Sequence, residues 1–392
     1  MTERVLIAGA GPVGLVAALH LVRAGVPVTV LEAGEALATE SRASTFHPPT
    51  LDMMDDLGVA GAMLAEGLRA PTLQYRSKRD GVLARFDYGA IAGETRHPFR
   101  LQLEQSRLTR LLLEACRHEP GFAVAFGSPV TAVEQDVDGV LATAGTEAYR
   151  GRYLVGADGA SSAVRRAVGV PFEGFTWPER FLVLSTPFDF DTALPDLSSV
   201  TYVADPEHWH FLLRIPGLWR VMFPVAAAVS DEAALDPPFG QSLLAKVVPG
   251  LGGYEIAHRT LYRVHQRVAE RFRAGRVFLA GDAAHVNNPL GGMGMNGGIH
   301  DAVNLAARLA HVWRDSGAES ELDGYERQRR AITLDAVQVQ SIQNKRDLEA
   351  RDDVARDEFR DRLRGIAADP ERTREFLLRV SMISGLRRAA VL

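Results

Sequence analysis

Three stretches of this chain carry residue types suited to a phosphorylated, hydroxyl-rich ligand. The first is Gly9-Ala10-Gly11-Pro12-Val13-Gly14, which follows an apolar run at 4–8 and opens a helix expected over 13–24. Glycines at this spacing make a tight turn, admit a pyrophosphate to the backbone and let the helix pack on the strand. The helix N-terminus then faces the phosphates. Gly9, Gly11, Pro12 and Gly14 are therefore cofactor-binding candidates. A second strand is expected at 26–32, and Glu32 at its end stands 18 residues past Gly14. A carboxylate there accepts hydrogen bonds from an adenosine ribose, which suits FAD or NAD, whose ribose is unphosphorylated.

The second stretch, Gly156-Ala157-Asp158-Gly159-Ala160-Ser161-Ser162, follows another strand at 153–155. In the third, a strand at 277–280 ends at Gly281-Asp282, which places Asp282 to accept from a polyol. The chain continues as Pro289-Leu290-Gly291-Gly292-Met293-Gly294-Met295-Asn296-Gly297 into a long helix from about 295. Glycines before a helix present N–H groups and a positive dipole end to an acceptor, and the N1/O2 edge of a reduced flavin is one. This run is not a second dinucleotide loop, because Asn-Asn-Pro-Leu precedes it where such a loop needs a strand.

In this order and spacing the three motifs resemble the single-component FAD-dependent aromatic hydroxylases built on the para-hydroxybenzoate hydroxylase fold, over roughly residues 4–310. The resemblance implies an α/β architecture. An FAD-binding Rossmann-like domain of the glutathione-reductase type is interleaved with a mostly antiparallel β-sheet substrate domain and followed by C-terminal helices. It implies that Asp158 serves both flavin binding and nicotinamide use, and that Gly281 and Asp282 meet the ribityl chain. Pro289, Gly292, Met293, Gly294, Met295 and Asn296 would line the isoalloxazine, with Arg42 and Gln105 near the diphosphate or ribityl region. Relatives often carry glutamine where this chain has Met293, a change that leaves the backbone donors in place. The implied cofactor is non-covalent FAD. NAD(P)H is a co-substrate that visits without a strand–loop–helix unit of its own. The implied reaction is hydroxylation of an electron-rich phenolic or heteroaromatic small molecule with O2 through a flavin C4a-hydroperoxide.

Substrate contacts are expected from Tyr202, His210, Arg214, Arg220, His285 and Pro289, with His47 shortly after Arg42. A histidine can take a phenolic proton near neutral pH, and an arginine can hold an acidic substituent. His47, His210 and Arg214 are the catalytic candidates. His208, His210, His258 and His265 lack the carboxylate and cysteine partners of a metal site, so no metal is expected.

The elements that must position these residues are spread along the chain. Segments 1–72, 98–175 and 265–330 are expected to form the FAD domain, 73–97 and 176–264 the substrate domain, and 331–392 a charged C-terminal helical segment. Helices are expected at 49–57 and 106–117, a hairpin at 73–76 and 82–86, and a meander over 122–155. Strands are expected at 180–185, 200–204, 210–215 and 219–223.

At 392 residues the chain exceeds the usual single core. Its 46% apolar and 24% charged content is that of a globular protein. A net charge of −5 without a basic run argues against a nucleic-acid partner. Cys116 is the lone cysteine, which excludes an intrachain disulfide and points to the cytoplasm. No apolar stretch is long enough for a membrane span, and the oligomeric state is open between monomer and homodimer. The alternatives are a flavin halogenase, an epoxidase or isoprenoid reductase on the same frame, and a non-enzymatic flavin-binding module. Stimulation of NAD(P)H oxidation by a phenol without halide separates the first from a hydroxylase. The charged stretch after Arg351 argues against membrane docking.

Overall fold

A computed structural model describes residues 3–39, 43–350 and 352–392. The opening strand Val5–Ala8 is buried at every position. It pairs in parallel with Val28–Leu31 on one side and Tyr153–Gly156 on the other. Phe122–Ala125 and Val277–Leu279 extend this sheet, also in parallel, and Arg273–Ala274 closes one edge antiparallel. Continuous apolar strands of this kind need cover on both faces. The helices Pro12–Arg23, Gln105–Arg117 and Met293–Arg314 contribute Leu15, Leu112 and Leu305 to the same core.

The meander expected over 122–155 is shorter than the sequence reading. Only Val130–Gln135, Val140–Ala144 and Glu147–Gly151 form it. Phe122–Ala125 and Tyr153–Gly156, at its two ends, belong to the parallel sheet instead. Short apolar strands look alike from sequence whichever neighbour they find.

The second sheet has eight strands and is antiparallel except where Val200–Ala204 runs parallel to Thr72–Ser77. The hairpin Thr72–Ser77 with Gly81–Asp87 forms its edge. Its longest pairing joins Phe172–Thr186 to His258–Ala269. The latter strand escaped the sequence reading because its charged residues mask the alternation.

The sheet has two unlike faces. One packs Tyr202, Phe211 and Met222 against Phe359, Phe376 and Leu377 of the C-terminal helices Asp353–Ala367 and Pro370–Val380. The other packs Leu212, Trp219 and Val221 against Leu243 and Leu244 of the helix Pro237–Val247. A further three-stranded sheet, Thr45–Phe46, Arg100–Gln102 and Leu68–Ala70, was not foreseen. Among the described residues no helix is long and apolar enough to cross a membrane.

Candidate active site

The first glycine loop has the shape a pyrophosphate requires. Gly9 sits at φ 101°, and a Cβ there would lie 2.5 Å from the Ala157 carbonyl oxygen in the second motif. A Cβ on Gly14 would come within 2.0 Å of the Gly9 oxygen, so helix and turn close on each other only through glycine. Gly11, by contrast, faces open space, and as N-cap it puts no side chain over the first-turn N–H groups. Pro12 starts the helix, where its missing N–H costs nothing. Glu32 braces the loop: its carboxylate accepts from the Ala10 N–H at 2.6 Å and from the Gly34 N–H at 2.9 Å.

The other two motifs converge on this loop. Asp158 accepts from the Val164 N–H at 3.1 Å through one oxygen, while its other carboxylate oxygen is buried without a partner. Gly281, at φ 61°, lies against Val13 of the opening helix, and Asp282 beside it is exposed in a short turn. The open approach over Gly11, the uncapped helix start and the unpartnered Asp158 oxygen fit a dinucleotide with a polyol linker such as FAD. Gln105 begins its helix, and its N–H donates to the Ala43 carbonyl at 3.0 Å. Arg42 lies outside the described residues.

The third glycine run is held by its neighbours on every side. Gly291 and Gly292 adopt φ 102° and 68°, and Gly292 caps the long helix with no side-chain bond. The Pro289 carbonyl accepts from the Gly292 N–H at 2.9 Å, closing the turn. Asn296 stitches this turn to the strand at Thr45, its amide donating to the carbonyls of Thr45 (2.8 Å) and Gly292 (2.6 Å). Its carbonyl oxygen accepts from the His47 N–H at 2.9 Å. Met293 turns its side chain away, into a cluster with Val337 and Met382. Met295 packs on the main core. Gly294 starts the helix with Asn287 3.5 Å from where its Cβ would be.

The Gly291 peptide is clamped from two directions. Its N–H donates to the Tyr202 hydroxyl at 3.0 Å, and its carbonyl accepts from His47 Nε2 at 2.9 Å. Tyr202 comes from the eight-stranded sheet and His47 from the end of the small sheet, so the clamp is where the substrate sheet meets the loop. A carbonyl can only accept, so Nε2 carries the hydrogen and Nδ1 of a neutral ring is a lone pair. That Nδ1 is buried without a partner. Burial first, and then the nearby Arg100 charge, hold His47 well below the ordinary histidine value, so the ring stays neutral.

Strand parity sorts the remaining candidates. Arg220 shares its face with Met222 and so looks toward the loop, where it pairs with Glu104 at 2.9 Å. His210 and Arg214 share parity with Leu212 and face the opposite way. His210 bonds the His208 carbonyl at 2.8 Å and lies beside Phe223; burial pushes its pKa down to about 4. Arg214 is half-exposed, paired with Asp191 and 5.7 Å over the Trp219 ring. Both are corrected: a one-residue offset along a strand puts a side chain on the other face.

His285 is corrected as well. It lies behind the long helix, stacked on Phe272, with its Nε2 donating to Asp301 at 2.7 Å. Asp301 also accepts from Arg329 at 2.7 Å and from the Gly281 N–H at 3.1 Å. Burial works to raise the Asp301 pKa, but His285 and Arg329 hold it down to about 2. This fully buried group ties the Gly281 turn to the long helix. Asp301, Arg100 and Gln102 were not singled out from the sequence, because a polar residue type carries no sign of its own burial. In the fold all three residues are buried.

A glycine-loop dinucleotide cradle joined at one peptide to an antiparallel sheet is the layout of a flavin-dependent oxidoreductase that carries its own substrate chamber. A profile described as FAD binding domain matches residues 2–340. The chain is 33% identical to para-nitrophenol 4-monooxygenase of Pseudomonas sp. strain WBC-3, over 98% of this chain and 97% of that one. It is 35% identical to 6-hydroxy-3-succinoylpyridine 3-monooxygenase of Pseudomonas putida strain S16, over 96% and 97%. The crystal structure of p-nitrophenol 4-monooxygenase from Pseudomonas putida DLL-E4 superimposes with a TM-score of 0.92 at 31% identity, covering 98% of each chain. The chain belongs to the FAD-binding-domain family of single-component aromatic hydroxylases, and it is an FAD-dependent monooxygenase.

Proposed function

We propose that the protein hydroxylates a small, acidic phenol or hydroxypyridine, with His47 accepting the proton of the ring hydroxyl. The full-length similarity to a nitrophenol and a hydroxypyridine monooxygenase supports this substrate class. The observation that carries the reading is the Gly291 clamp, which fixes the His47 tautomer and leaves its Nδ1 lone pair buried without a partner. When bound, FAD reduced by a nicotinamide coenzyme supplies an electrophilic oxygen atom from O2.

The protein's part is to hold the ring and keep water out. Gly9, Gly11, Pro12, Gly14, Glu32, Asp158, Gly281 and Asp282 hold the dinucleotide, joined by Arg42 and Gln105. Pro289, Gly292, Gly294 and Asn296 would line the isoalloxazine, with Met293 and Met295 anchoring their loop from behind. Tyr202 and Arg220 form the sheet wall. The C-terminal helices, packed on the same face, exclude solvent. His47 Nδ1 receives a hydrogen bond from the substrate hydroxyl and draws its proton away as the ring is attacked. In this reading segments 1–72, 98–175 and 265–330 serve the cofactor, and 73–97 and 176–264 the substrate. The setting is cytoplasmic.

The test is NAD(P)H oxidation by FAD-loaded protein across a panel of nitrophenols and hydroxypyridines, with product mass checked for one added oxygen. His47→Gln is expected to lower the substrate-stimulated rate by about a hundredfold, the scale of general-base catalysis, while FAD stays bound. A panel in which no compound accelerates oxidation or gains oxygen sinks the reading.

A further inference from the structure

We infer that Arg100 is the charge partner of an anionic oxygen that the aromatic substrate carries apart from the ring hydroxyl facing His47, so that the site prefers a ring bearing such an anion to its uncharged counterpart. The inference deepens the hydroxylase reading above and rests on it.

Arg100 is 1% exposed, yet among the described residues no carboxylate lies within ion-pair distance of it. The contrast within the molecule is sharp. Three other deeply buried cations have acidic partners: Arg329 holds Asp301 at 2.7 Å, Arg220 holds Glu104 at 2.9 Å and Lys345 holds Glu179 at 2.5 Å, while Arg165 is held by the Ala283 and Ala160 carbonyls at 2.7 and 2.8 Å. A buried charge without a counter-ion is costly, and natural folds rarely leave one that way. The partners Arg100 does have are neutral, hydrogen bonds to Tyr202 and Tyr88 among them. One Nη2 contact reaches the Val380 carbonyl at 3.4 Å, and the guanidinium lies 5.8 Å from the centre of the Tyr88 ring. Its Nε–H has no acceptor.

The surroundings extend the pattern. The Gln102 amide nitrogen and His47 Nδ1 are buried without hydrogen-bond partners, and the buried Tyr88 hydroxyl has only the Ser381 hydroxyl and Arg100 itself beside it. Arg100 and Gln102 alternate with Leu101 on one strand and so point to one side of it. Gln102 is tied to Thr45 at 2.9 Å, and Thr45 lies against Gly292. Tyr202, which holds the Gly291 N–H, is one of the groups whose field Arg100 feels, together with Tyr75 and Tyr88.

A buried cation with no carboxylate beside it among the described residues, the unsatisfied Gln102 amide and the Tyr88 and Ser381 hydroxyls, close to the Gly291 loop, describe a nest for a negatively charged oxygen. In the bound complex the guanidinium and the Tyr88 hydroxyl donate to that oxygen, and a ring spans from there to His47. Folding the cation without its counter-ion is the cost of leaving that position for the substrate.

The test uses 4-hydroxybenzoate and its uncharged counterpart 4-hydroxybenzamide as dead-end probes of the oxidised, FAD-loaded enzyme, with dissociation constants read from flavin difference spectra near neutral pH, where both ring hydroxyls keep their protons. The wild type is expected to prefer the carboxylate by about thirtyfold or more, the scale of a buried charge pair. Arg100→Gln should erase that preference and Arg100→Lys recover part of it, each with flavin content retained. Equal affinity of the wild type for both probes overturns the inference even if the variants fail to fold. An undiminished preference in Arg100→Gln overturns it too. Turnover of phenols without any anion preference removes the Arg100 role alone. Anion preference with no turnover keeps the Arg100 nest and removes the hydroxylase reading.

Discussion

The eight-stranded sheet carries two kinds of polar residue on alternate positions of the same strands. On the face toward the glycine loop, Tyr202 holds the Gly291 N–H and Arg220 holds Glu104, both in a buried setting. On the far face, His210 turns back to its own strand's approach and Arg214 meets Asp191 near solvent. Residue types that look interchangeable on paper thus have unequal roles. What separates them is parity along the strand and the partner layer each face meets, the C-terminal helices on one side and Pro237–Val247 on the other.

The largest effect should come from the near face. Tyr202→Phe keeps the ring but leaves a buried Gly291 N–H unpaired, at a cost of about 1–3 kcal/mol. Thermal unfolding should register this, and the substrate-stimulated rate should fall at least tenfold as the loop loosens, about 1.4 kcal/mol of transition-state stabilisation. A variant with wild-type melting and rate would break the distinction between the faces.

An intermediate effect is expected from His210, and it depends on pH. Its folded pKa of about 4 lies below the unfolded value of 6.5, so the unfolded chain takes up a proton that the fold refuses. The contribution is fully present above pH 6.5 and is lost as pH falls from there toward 4. By about pH 5 the loss amounts to about 2 kcal/mol. His210→Gln, which can still donate to the His208 carbonyl, should flatten the melting temperature over that interval without changing the Michaelis constant. His300, driven down to about 3 by burial and then by Arg329, leaves a residual slope of the same sign. An unaltered slope in His210→Gln would show the histidine is solvated.

The smallest effect belongs to Arg214. Its ion pair is half-exposed, so Arg214→Ala should cost less than about 1 kcal/mol and leave the substrate's Michaelis constant where it was. A raised constant for acidic substrates, measured in steady state, would return the far face to the site.

The cofactor cradle was legible because its chemistry is local. A turn that only glycine can make, a helix start beside it and an acidic residue one strand later are fixed by neighbours within about thirty residues, the length of one strand–helix–strand unit. The tight contact between Gly14 and the Gly9 carbonyl is local in the same sense. The substrate wall was less legible. Tyr202, Arg220 and His47 fall at the clamp or on its face, while His210, Arg214 and His285 do not. Nothing in a strand's own alternation says which face will meet the loop.

The chain by itself determined a flavin-type dinucleotide fold assembled from distant segments, because glycine torsions and helix dipoles act over a few residues. Only the tertiary structure decided that one peptide, Gly291, would join His47 to Tyr202 across more than 150 residues of sequence. It also decided that Arg100 would be buried with no carboxylate beside it among the described residues. Those outcomes depend on which layers pack together, and burial turns an ordinary polar side chain into a chemical group with a task.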